Sequence, residues 1–105
     1  MFLDDQLIQI CRDAKVDTPV EFNRLNGILI ETCQNYYKSK IKLGMKYNEV
    51  RTILDRTFKL WDSFIRMAEN SDDTKLQMLS KLFAKYNFKL QFFLDDRLRE
   101  FYNKL

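Results

Sequence analysis

Apolar residues recur along most of this chain at intervals of three and four, the spacing that lays side chains on one face of an α-helix. The first run predicts a helix over about residues 4–15, with Leu7, Ile8, Cys11 and Ala14 on one side. A boundary follows at Thr18-Pro19-Val20-Glu21. Thr18 suits the N-cap, Pro19 the first helical position, and Glu21 completes a capping box. Beyond it Phe22, Leu25, Leu29, Cys33 and Tyr36 repeat at helical spacing, and Ile30, Tyr37 and Ile41 add a second flank. So wide an apolar arc predicts a helix that touches two neighbours. Gly44 is expected at the C′ position, with Lys38, Lys40 and Lys42 placed where the helix dipole favours cations.

The third run, about 47–69, has the cleanest stripe: Val50, Ile53, Leu54, Phe58, Trp61, Phe64, Ile65 and Ala68. Asn70-Ser71-Asp72-Asp73 ends it and offers Ser71 or Asp72 as the next cap. The last segment, about 73–104, keeps one helical stripe from Leu76 through Phe83, Leu90 and Leu98 to Leu105. As one helix it would be roughly 45 Å long, against about 35 Å for the third, so it must bend or project. Within it Tyr86–Phe92 alternates apolar and polar residues, as a strand does, but no second segment offers itself as a strand partner. The fold class is therefore all-α: a four-helix antiparallel bundle with a short first helix and an overlong C-terminal helix. It forms a single helical domain over residues 1–105.

Composition narrows the chemistry more than it widens it. The 105 residues include no histidine, which removes Ser-His-Asp and Cys-His catalysis and every His-ligated metal site. Two glycines, Gly27 and Gly44, make no phosphate-binding loop. Asp4-Asp5, Asp72-Asp73 and Asp95-Asp96 are adjacent carboxylates, and the first two pairs suit helix starts. Asp13-Ala14-Lys15 and Asp73-Thr74-Lys75 match the loose D-x-K of some nucleases, without the hairpin that such a site needs. The expectation is a protein that is not an enzyme, with no cofactor, no metal and no small-molecule substrate.

Cys11 and Cys33 fall among apolar residues and read as buried, reduced thiols. Met1-Phe2-Leu3-Asp4-Asp5 does not resemble a secretory leader, and no apolar run is long enough to span a membrane. Both point to a cytoplasmic protein. Asn26, Thr57, Asn87 and Arg97 fall on or beside apolar arcs and need partners there.

Two surfaces stand out. On the last helix Met78, Phe88 and Phe92 lie opposite the core stripe, framed by Lys81, Lys85 and Arg99. Exposed apolar groups of that size form a patch that solitary proteins avoid. That predicts a protein-protein interaction or regulatory module, self-associating or docking a partner with an acidic surface. The alternative is a nucleic-acid-associated protein. It would use the Lys38, Lys40, Lys42 and Lys46 cluster together with the basic and aromatic side of the last helix. A helix-turn-helix over Gly44–Met67 does not fit, because the apolar stripe passes Asp55-Arg56 without a break in phase.

Overall fold

A computed structural model gives the fold and describes residues 2–85. Four helices follow in chain order: α1 (Leu3–Asp13), α2 (Pro19–Lys40), α3 (Tyr47–Glu69) and α4 (Thr74–Lys85). No strand occurs among the described residues. The expected continuation to residue 104, the strand-like alternation at 86–92, and Asn87 and Arg97 lie outside them.

α2 and α4 begin on local side-chain caps. Thr18 Oγ1 accepts from Glu21 N at 3.2 Å, and Pro19 opens the helix, as its spacing predicts. The return half of the capping box is shifted by one residue. Glu21 Oε1 accepts from Thr18 Oγ1 at 3.1 Å and from Asp17 N at 3.3 Å. α2 stops at Lys40, earlier than its lysines suggested, with Ile41 extended at the C-cap. Gly44 is consequently not at C′. It is the third residue of a turn in which Met45 N donates to Lys42 O at 3.2 Å, and its φ of 89° is the left-handed value such a turn demands. At α4 the cap is Asp73, whose Oδ1 accepts from Lys75 N at 2.9 Å. Ser71 acts one step earlier, accepting from Asp73 N at 3.1 Å.

α1 has eleven residues, a length at which an isolated helix is marginal in water. Packing holds it: Leu3, Leu7, Ile8 and Cys11 are all buried. Although short, it touches each of the other three helices, as does α3. α2 has the two helical neighbours that its wide apolar arc predicts, α1 and α3. The backbones of α2 and α4 do not meet, and aromatic rings bridge them instead. Phe22 of α2 lies 5.6 Å from Phe83 of α4, which in turn stands 6.1 Å from Phe64 and 6.3 Å from Trp61 of α3. Such tilted ring pairs add about 0.5–1.5 kcal/mol each beyond area burial.

The stripe residues largely take the places their spacing assigns. Leu25, Leu29, Cys33, Val50, Leu54, Phe64, Leu76 and Leu79 are fully buried. Ala14, Ile53 and Ile65 are only half-buried, and two further assignments change. Tyr37 rather than Tyr36 is fully buried, and Thr57 occupies a core position ahead of Phe58, which is half-buried. Thr57 meets the demand for a partner within its own helix, Oγ1 donating to Ile53 O at 2.9 Å.

Candidate functional site

α4 turns Leu76, Leu79 and Phe83 inward. On its other side Met78 is 42% exposed and Lys81 is exposed. Residues three apart on a helix are neighbours, so the thioether and the ammonium share one sector. Lys85 closes the described part of α4, while Phe88, Phe92 and Arg99 lie outside the described residues. Met78 is also not isolated. It borders a groove of about 460 Å³ between α4 and the start of α2, lined further by Val16, Pro19, Phe22, Asn26 and Leu82. Asn26 carries the one polar atom there that stands out. Its Oδ1 is buried and accepts no hydrogen bond from the described residues.

A second groove of about 390 Å³ runs between α3 and α4, with Trp61, Ile65 and Phe83 at its floor and Asp62, Arg66 and Glu69 along α3. Ser80 lines it but is committed elsewhere, its Oγ donating to Gln77 O at 2.7 Å.

The lysine cluster forms at the opposite kind of place, a helix end. Lys38 and Lys40 sit in the last turn of α2, Lys42 opens the Lys42–Met45 turn, and Lys46 is the residue before α3. All four are exposed. Lys40 Nζ stands 5.6 Å over the Tyr36 ring, which places that cation on one side of the helix end. Lys38, two residues earlier and so about 200° around the helix, falls on the other. At the turn itself Leu43 is 82% exposed, a feature the apolar spacing does not single out because Leu43 belongs to no stripe.

Several of the residues that resembled catalytic patterns make structural contacts, while Asp95 and Asp96 lie outside the described residues. Asp4 Oδ2 accepts from Ser63 Oγ at 3.0 Å and joins α1 to α3. Asp73 caps α4, and Lys75 donates to the Arg12 carbonyl at 2.9 Å and to that of Ala14. Asp13 accepts from Gln9 Nε2, and Lys15 pairs with Asp17. Among the described residues no three His, Cys, Asp or Glu side chains converge as metal ligands would, and no helix is long and apolar enough to cross a membrane. Cys11 and Cys33 are free and buried, and burial pushes both thiols up to about 12, with the Lys75 charge opposing the rise slightly at Cys11. Thiols held so far from thiolate are poor nucleophiles.

No protein-family model matches the chain, and no curated protein and no solved structure resembles it closely enough to lend it a function.

Proposed function

We propose that the chain is a non-enzymatic interaction or regulatory module that self-associates, or docks a partner with an acidic surface, through its C-terminal helix. In this reading α4 continues beyond Lys85 in an antiparallel bundle and carries Phe88 and Phe92 onto the face already occupied by Met78. Lys81, Lys85 and Arg99 frame that face and favour an acidic partner. The observation that supports it is the placement of Met78: a large apolar side chain, 42% exposed, on the rim of an apolar groove rather than alone on a charged surface. Burying the two phenylalanines would contribute roughly 3–6 kcal/mol, a substantial part of the roughly 8 kcal/mol that micromolar association requires, with Met78 and the framing charges adding to it.

Light scattering after size exclusion tests it. The wild type at high concentration is expected to exceed the 12.8 kDa of one chain. Phe88→Asp with Phe92→Asp, and Met78→Asp separately, should return the mass to one chain with helicity unchanged. A wild type of one-chain mass at high concentration defeats self-association. Unfolding of the Phe88/Phe92 variant would place those rings in the core and defeat the docking face for any partner.

A further inference from the structure

We propose that the turn between α2 and α3 is a peripheral docking site for an anionic phospholipid surface. The charge argument comes first. Residues 32–50 contain Lys38, Lys40, Lys42 and Lys46 against Glu49 alone, four positive charges less one negative, or +3. The whole chain is also +3, so the rest of it is neutral in sum and the excess resides at this one helix junction. Among the described residues Lys15 and Arg51 have carboxylate partners in Asp17 and Asp55, and none of the four lysines lies in such a pair.

The second observation is apolar. Leu43 is the most exposed large hydrophobic side chain among the described residues, at 82%, and it stands between Lys42 and Lys46 at the outer corner of the turn. Its neighbours explain why it points away. Met45 folds back, its Sδ accepting from Lys42 N at 3.0 Å, and becomes half-buried. Gly44 supplies the positive φ, and nothing lies within 4 Å of where its Cβ would be. Among the described residues the turn tip therefore stands clear. Tyr47, 56% exposed, follows directly and has the amphipathic ring that settles at the level of lipid headgroups.

The two observations together choose the partner. A nucleic acid would satisfy the lysines through its phosphates but gives a branched aliphatic side chain little to contact. An anionic bilayer satisfies both, taking the lysines at the headgroups and the leucine among the acyl chains just beneath. Lysine stems are long enough to let that insertion happen while the ammonium groups stay in water.

Sedimentation of the full-length chain with vesicles tests this directly. Vesicles of about one-third phosphatidylserine in phosphatidylcholine should carry the protein down at low ionic strength, and pure phosphatidylcholine vesicles should not. Binding should fall as salt rises. Lys42→Gln with Lys46→Gln should weaken it about twenty-five-fold, at about fivefold per lysine. Leu43→Ser should weaken it roughly tenfold, while leaving binding to a single-stranded oligonucleotide as it is in the wild type. Circular dichroism reports that each variant keeps its helices. No sedimentation with the anionic vesicles overturns the proposal, whatever the variants do. So does wild-type sedimentation of Leu43→Ser, which would make the turn a charge-only site; oligonucleotide binding stronger than vesicle binding would then assign it to nucleic acid.

Discussion

Lys75 Nζ donates to the carbonyl oxygen of Arg12 at 2.9 Å, so that a side chain from the start of α4 closes the C-terminus of α1. Ala14 O accepts from the same ammonium. Orphan carbonyls at a helix end attract cations, and here the cation comes from 63 residues away in sequence. Lys75→Met should therefore lower stability by about 1–2 kcal/mol, measured by urea unfolding. A surface lysine such as Lys59 should tolerate the same change.

The two glycines should respond to alanine with opposite sign. Gly44 has a φ of 89°, so Gly44→Ala should destabilise by about 1–2 kcal/mol through backbone strain alone, its Cβ meeting nothing. Gly27 lies within α2, with equally open space around it. Gly27→Ala should stabilise by about 0.5–1 kcal/mol. Thermal melts of the two variants side by side provide the check.

Among the described residues no donor reaches the buried Asn26 Oδ1. Removing an unsatisfied acceptor in favour of an apolar group of similar size is neutral or stabilising. Asn26→Leu should thus raise stability by up to about 1 kcal/mol in denaturant titration, an unusual outcome for a polar-to-apolar change.

Both thiols have their pKa raised from 9.0 to about 12 in the folded state by burial. The folded protein thus holds these protons more tightly than the unfolded chain. The stability linked to them is complete below pH 9 and is lost as pH climbs from 9 towards 12. Denaturant titrations at pH 7 and pH 10 should show a smaller alkaline loss for Cys11→Ala with Cys33→Ala than for the wild type. A thiol reagent at pH 8 should label neither cysteine until the protein unfolds.

Among the described residues α3 was legible from the period of its apolar stripe alone. The α3 boundaries, about 47–69, coincide with the observed Tyr47–Glu69. The Thr18 cap was legible because a hydroxyl, a proline and a glutamate at fixed spacing have one common use. What escaped was tertiary. Nothing local in the sequence says that Lys75 reaches Arg12, that Asp4 reaches Ser63, or that Phe22 and Phe83 join helices whose backbones stay apart. Tyr36 and Tyr37 are adjacent on the edge of a wide arc, where a small rotation of the helix decides which one is buried. For the candidate surfaces, Met78 and Lys81 were legible from the wheel as residues opposite the core stripe. The groove beside Met78 was not, since Val16 and Pro19 reach it from a loop. Leu43 was missed for a related reason: its exposure comes from the geometry of a turn, which helical periodicity does not describe.

The docking face is tested most directly by its accessibility in a dilute, single-chain sample. The methyl resonance of Met78 and the ring resonances of Phe88 and Phe92, followed in the presence of a soluble paramagnetic relaxation agent, report it in one NMR experiment. All three should be strongly relaxed at low concentration and should lose that relaxation together as the protein is concentrated or its acidic partner is added. Phenylalanine rings that stay silent to the agent at every dilution, while Met78 responds, would contradict the proposal and return Phe88 and Phe92 to the protein's own interior.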